Sequence, residues 1–160
     1  MAPPRIYIET SVISYLTSRP SRDLLIAARQ EATREWWELR NQIFQPLISN
    51  LVIQEVAAGD PDAALLRLQI CQTVEQLDID PAAKELAAKL IEVKAIPANE
   101  EEDALHIALA TIAQVEYIAT WNFAHMVSPA AKYRLQKHIE QLNFASPLLA
   151  TPEELLETLP

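Results

Sequence analysis

Glycine is almost missing from this chain: Gly59 is the single one in 160 residues. Loops that press backbone against phosphate need several glycines. A P-loop, a dinucleotide-binding fingerprint and a kinase-type loop are therefore excluded, and turns fall to Pro, Asn, Asp and Ser. Cysteine is equally scarce. Cys71 stands alone, so there is no intrachain disulfide, and this usage suits a reducing cytosol, which sets cytoplasmic localisation as the expectation. Long apolar runs are absent too. The longest, within 104–113, is too short for a bilayer and contains His106. The stretch Met1-Ala2-Pro3-Pro4-Arg5 lacks a basic-then-apolar signal pattern, so no membrane partner is expected. Basic charge is short as well: 13 Lys and Arg face 22 Asp and Glu, a net charge of −9. That argues against sequence-blind nucleic-acid binding on a basic surface. It leaves open a nuclease whose acids meet phosphate through a divalent cation.

What is present reads as one soluble domain over residues 1–160. Apolar residues make up 50% and charged residues 22%, ordinary for a globular protein, and the length suffices for a full core without staples. The most informative stretch runs from Asn99 to Gln114. Four acids, Glu100 to Asp103, lead into a segment apolar on nearly every side. Asn99 as N-cap with Glu102 three residues later predicts a capping box, and the apolar body predicts a core helix.

In chain order, Arg5 to Glu9 reads as a short buried strand. Thr10-Ser11 is expected to cap the helix that follows. Pro20 breaks the chain, and Ser21 is expected to cap a long helix to about Arg40 with the core stripe Leu25, Ala28, Ala32, Trp36 and Leu39. Trp37, off that stripe, suits the rim of the core or a partner-facing anchor. Gln45 to Ser49 reads as a second strand, with Ser49 or Asn50 capping a short helix that carries Glu55. Asp60-Pro61, Asp80-Pro81, Ser128-Pro129 and Thr151-Pro152 each pair an N-cap with proline at the first helical position, predicting four helix starts. Val74 to Ile79, Val115 to Thr120 and the edge segment Ser146 to Ala150 complete the strands.

Strands alternating with helices predict a mainly parallel sheet of four to five strands with helices on both faces. Ligands of such sheets gather beyond the carboxyl ends of the strands. Glu9 ends the first strand, Glu55 is early after the second, and Asn122 follows the fourth. The short Gln114-Val115 link turns the 99–114 helix so that Asp103 lies at that same rim. Three carboxylates held together repel and raise one another's pKa. A divalent cation relieves this, and oxygen-only ligands favour Mg²⁺ or Mn²⁺ over zinc.

Taken in order, Tyr7-Ile8-Glu9-Thr10-Ser11, Ser49 to Glu55, Glu102-Asp103-Ala104-Leu105-His106-Ile107-Ala108 and Thr120-Trp121-Asn122-Phe123 resemble the motifs of PIN-domain proteins, especially VapC-type toxin relatives. The resemblance implies a three-layer α/β/α sandwich. It implies an endoribonuclease dependent on Mg²⁺ or Mn²⁺, and often a small antitoxin partner. By motif match, Glu9, Glu55 and Asp103 take metal-ligand and water-activating positions. Asn122 matches a fourth, acidic position, and Thr10 and Thr120 match polar supporting ones.

Two departures accompany the match. The family's first acid is usually Asp; Glu9 adds a methylene, a displacement of roughly 1–1.5 Å. Asn122 is neutral at every pH, so a second metal would be held weakly. These two residues motivate an alternative from another class, a catalytically impaired PIN-like domain that binds protein or RNA. Ordinary readings stand beside the sharp ones. Asp103 suits a helix dipole, Glu55 a solvated helix face, and Asn122 a turn. His106 and His125 suit hydrogen-bonded structural roles. Lys132, Arg134, Lys137 and His138 suit a solvated helix face, and Arg19 and Arg22 an exposed loop. Trp36-Trp37 and the apolar surplus suggest a homodimer.

Overall fold

A computed structural model describes residues 2–157. Its centre is β1 (Arg5–Ile8), in which Ile6, Tyr7 and Ile8 are wholly buried. Burial on both faces is what a parallel strand between helical layers requires. The chain continues through α1 (Thr10–Thr17), α2 (Leu24–Ile43), β2 (Gln45–Ser49), α3 (Asn50–Val56), α4 (Pro61–Cys71), β3 (Glu75–Leu77), α5 (Pro81–Glu92), α6 (Glu101–Ile112) and β4 (Tyr117–Ala119). One π-helical turn at Phe123–Val127 leads to α7 (Pro129–Gln141), β5 (Leu148–Ala150) and α8 (Pro152–Leu156). The five strands are all parallel in the order β3-β2-β1-β4-β5. The direction of travel reverses at β1, the place where such sheets bind ligands.

The helices cover both faces. α1 packs on α2, α3 and α4, and α8 packs on α2; α5 packs on α6, and Arg134 of α7 donates to the Ala95 carbonyl just beyond α5. The expected three-layer α/β/α architecture is therefore present. α6 is the core helix, with Ala104 and every residue from His106 to Thr111 buried. No helix among the described residues is long and apolar enough to cross a membrane.

All four proline-marked starts are helix N-termini, and each preceding Asp, Ser or Thr accepts a backbone N–H of the first turn. The last is a full capping box between Thr151 and Glu154. Glycine's scarcity is met in another way. α5, α6 and α7 end on Lys94, Gln114 and Asn143 at φ of 62°, 57° and 68°. After each, a 6→1 hydrogen bond closes the Schellman geometry: Ala95 to Leu90, Val115 to Ala110 and Phe144 to Ile139.

Three expected caps are different. α1 is capped by Glu9, not by Thr10 or Ser11. α2 is capped by Asp23, whose carboxylate accepts the Ile26 N–H; Ser21 instead accepts the Asp23 N–H. α6 has Glu100 at its N-cap with no side-chain cap bond, so the Asn99–Glu102 box does not form. Asn99 lies in a turn closed by Glu100 N–H on Pro97, and Glu102 turns toward Glu55. The α2 stripe also differs. Its buried residues are Gln30, Thr33 and Trp36, while Leu25 and Ala28 are exposed. Gln30 faces inward because its amide is satisfied there, donating to Ser18 Oγ and the Arg19 carbonyl and accepting from Ser21 N–H. Apolar periodicity carries no trace of that arrangement.

Candidate active site at the carboxyl rim of the sheet

Glu9 leaves the end of β1 and is only 7% exposed. Oε1 accepts from Ser11 Oγ at 2.5 Å and Thr120 Oγ1 at 2.7 Å, and Oε2 accepts from Ser11 N–H at 3.1 Å. The methylene that separates Glu from Asp is used here: one carboxylate caps α1 and reaches across to the end of β4.

Glu55 sits in the last turn of α3. Its Oε1 accepts from Thr10 Oγ1 at 2.5 Å and lies 2.5 Å from His106 Nε2. His106 is 1% exposed, and its Nδ1 is 2.7 Å from the Tyr7 hydroxyl, which is 2.8 Å from Ser49 Oγ. Ser49, Tyr7, His106, Glu55 and Thr10 thus form one hydrogen-bonded chain from the core to the rim. Burial pushes the Glu55 carboxyl up. The hydrogen bond and charge of His106, then the bonds from Thr10 and Glu102, outweigh it and hold it down to about 2. Burial drives the Tyr7 phenol far above its ordinary value, with Ser49 opposing and the charges of Glu9 and Glu55 adding to the rise.

The first turn of α6 brings the other acids. Glu102 is raised by its hydrogen bond to Glu55 and by that carboxylate's charge: two carboxyls in contact cannot both ionise freely. Asp103 is raised first by burial; an Asn122 hydrogen bond opposes this, Glu100 and Glu9 add to the rise, and His125 opposes it. Asn122 follows β4. Its Oδ1 accepts the His125 N–H at 3.0 Å and caps the π-helical turn, and its amide stands near enough to Asp103 to favour that carboxyl's ionised form. That turn carries His125, whose Nε2 is 3.7 Å from Glu100 Oε1.

Glu9, Glu55, Asp103 and Asn122 therefore all stand at one rim, with Thr10 on Glu55 and Thr120 on Glu9. They do not close into a single tight ligand set. Among the described residues, the group of three whose ligand atoms lie within 4.8 Å of one another is Glu100, Asp103 and His125. Sequence reasoning assigned Glu102 to capping, gave Glu100 no site role, and gave His106 and His125 structural roles. The available signal was spacing: Glu100 and Asp103 are three apart, and Glu102 and His106 four apart, so each pair shares a face of one helix.

No family model and no curated sequence matches the chain. Solved structures do. VapBC2 of Rickettsia felis, bound to a DNA fragment from its promoter, aligns over 91% of this chain and 97% of its own at 14% identity and a TM-score of 0.59. The sarcin-ricin loop cleaving toxin VapC20 of Mycobacterium tuberculosis aligns over 74% and 91% at 16% identity and 0.59. This is the PIN fold. DNA-bound VapBC of Salmonella typhimurium aligns over 93% and 98% at 13% identity and 0.58. The shared PIN architecture is the one that the ordered motifs at Glu9, Glu55, Asp103 and Asn122 suggest.

The donor chemistry at this PIN-type rim fits a divalent cation. Glu55 and Glu102 press together, and Asp103 is raised partly by neighbouring acids, the repulsion that a bound cation relieves. Glu9 is the exception, since hydroxyl and amide donors already occupy both its oxygens.

Proposed function

We propose that this protein is a metal-dependent ribonuclease that hydrolyses RNA phosphodiester bonds at the Glu9, Glu55, Asp103 rim. The single observation that carries the reading is the convergence of these carboxylates, each braced by its own donor, at the topological switch of a PIN fold. Asp103 and Glu55 would hold Mg²⁺ or Mn²⁺, with Glu102, Glu100 and His125 in reach to complete the ligand set. The imidazole tilts the choice toward Mn²⁺. A cation so bound supplies positive charge to the phosphate and acidifies a water. The protein's own part is to keep ligands in place. Thr10 and His106 fix Glu55 in one orientation and in its ionised form. Asn122 fixes the turn that carries His125, and its amide favours the ionised form of Asp103. Glu9, with Thr120 and Ser11, ties β1 to β4 beneath the site. Hydrolysis puts a water oxygen on phosphorus, breaks one P–O ester bond and moves one proton to the departing oxygen.

Asp103→Asn tests this reading. It keeps the volume and removes the charge. Mn²⁺-stimulated RNA cleavage should fall at least about a hundredfold with the urea midpoint unchanged. Undiminished cleavage refutes the site.

A second reading rests on Glu9 and Asn122. A carboxylate saturated by three donors and a neutral fourth position suit a PIN-like domain kept as a binding module. Calorimetry with Mn²⁺ separates the two: no heat at millimolar metal supports the module. The VapBC likeness further supports a small antitoxin or a second copy of this chain as partner, with a cytoplasmic location. The tryptophans do not supply that interface. Trp36 is wholly buried, and Trp37 lies under the Arg40 guanidinium. Exposed apolar side chains include Leu24, Leu25, Leu65 and Leu66. A monomer by light scattering at high concentration rules out the homodimer.

A further inference from the structure

The residues flanking Asn122 are both aromatic, and they are placed unlike each other. Trp121 is 5% exposed and anchored from three sides. Its indole N–H donates to Thr33 Oγ1 at 2.9 Å, its backbone N–H donates to Ser11 Oγ at 2.8 Å, and its ring meets Tyr15 at 5.6 Å. The same Ser11 hydroxyl donates to Glu9, so Trp121 is one bridging side chain away from the carboxylate rim. Phe123 leans on Trp121 at 6.2 Å and is 40% exposed. Its ring packs on Trp121 and beneath Arg29, yet part of it stays exposed beside the polar site. The Asn122 cap sets the π-helical turn on which it is carried.

Arg29 of α2 lies over this pair, its guanidinium carbon 4.6 Å from the Phe123 centroid and 5.7 Å from that of Trp121. Among the described residues that guanidinium has no ion pair and no hydrogen bond. In a chain of net charge −9, a cation left without a carboxylate and stacked on an exposed ring is an unused donor fork. Guanidinium forks match phosphate oxygens, and aromatic rings stack any base that is not held in a duplex.

We propose that Phe123 and Arg29 form a nucleotide platform at the edge of the rim, where an unpaired base of single-stranded RNA stacks on Phe123 and the adjoining phosphate meets Arg29. The assignment deepens the ribonuclease reading and rests on it for the identity of the ligand. It explains how a chain of net charge −9 can hold RNA: a single stack and a single fork replace a positive field. A duplex, whose bases are stacked on one another, has no face to offer.

The test is binding of a fluorescently labelled, 2′-O-methylated single-stranded oligonucleotide by anisotropy in chelator at low salt, where no cleavage contributes. Wild type should bind it more tightly than the matching duplex. Phe123→Ala should weaken binding about tenfold or more, Phe123→Tyr should restore it, and Arg29→Gln should weaken it while lowering the salt slope by about one. Urea midpoints show that the variants fold. Wild-type binding that prefers the duplex, or Phe123→Ala binding that equals wild type, overturns the platform. The two readings fail separately. Binding of this kind without Mn²⁺-dependent cleavage removes the ribonuclease and leaves the platform. Wild-type cleavage with KM unchanged in Phe123→Ala removes the platform alone.

Discussion

Tyr7→Phe removes one oxygen atom from the centre of the molecule and leaves the ring in place, so no cavity follows. The hydroxyl serves two partners, Ser49 Oγ at 2.8 Å and His106 Nδ1 at 2.7 Å, and all three side chains are at most 1% exposed. After the change Ser49 keeps a weaker role as acceptor for the Val52 N–H at 3.4 Å. His106 Nδ1 keeps nothing. A lost hydrogen bond is worth about 1 kcal/mol and a stranded buried polar atom about 1–3 kcal/mol, so the expected loss is about 2–4 kcal/mol. With a urea dependence of about 2 kcal/mol per molar, the unfolding midpoint should drop by about 1–2 M at unchanged slope. Tyr117→Phe is the control. Tyr117 is partly exposed and its hydroxyl has no hydrogen-bond partner among the described residues, while its ring packs edge-on against Phe44, so its midpoint should barely move. If Tyr7→Phe costs no more than Tyr117→Phe, the buried chain from Ser49 to Glu55 is not the continuous network described above, and Glu55 is held by Thr10 alone.

Acid should expose the same network. Glu55 has a folded pKa depressed from 4.5 to about 2, so its contribution is fully present above pH about 4.5 and is lost as pH falls toward 2. Glu102 and Asp103, both raised, act with the opposite sign and lose stability as pH rises through their folded values. Between pH 4.5 and 2, Glu55→Gln should therefore flatten the fall of unfolding free energy by up to about 1.4 kcal/mol per pH unit; an unaltered slope refutes the depressed pKa. Lys94→Gly relieves a non-glycine residue at φ 62° on an exposed helix end and should raise thermal stability by up to about 1 kcal/mol, as scanning calorimetry would read.

What was legible in the sequence was local chemistry. Asp60, Asp80, Ser128 and Thr151 each stand before a proline, and cap and proline act within one turn, so no tertiary partner was needed to find those helices. The parallel sheet followed from apolar segments spaced by helices. The rim followed from one short link at Gln114-Val115, which set the direction of α6. Where expectation and structure part, a distant partner decided. Glu102 would close a capping box in isolation, but Glu55, 47 positions earlier in the sequence, draws it away. Gln30 displaces apolar neighbours from the α2 core face because the α1–α2 connection supplies three hydrogen-bond partners. His106 lies on an apolar helix and reads as core until Tyr7 and Glu55 are seen on its two nitrogens. Lys94 and Gln114 carry no sign that they must adopt a left-handed backbone; the turn that follows imposes it.

β1 stands between β2 and β4, and its two neighbours arrive at very different times. Pairing with β2 begins at Gln45, whereas β4 begins at Tyr117. Thr120, which holds Glu9, is 111 residues away. During synthesis the first three strands can assemble while one edge of β1 is still bare and Glu9 still lacks its far partner. The acidic rim is thus among the last parts of the molecule to take shape. A chain halted just before β4 would carry all three acids, with Glu9 still lacking Thr120, on a half-built sheet with an open, apolar edge, a species suited to aggregation or capture and not to catalysis.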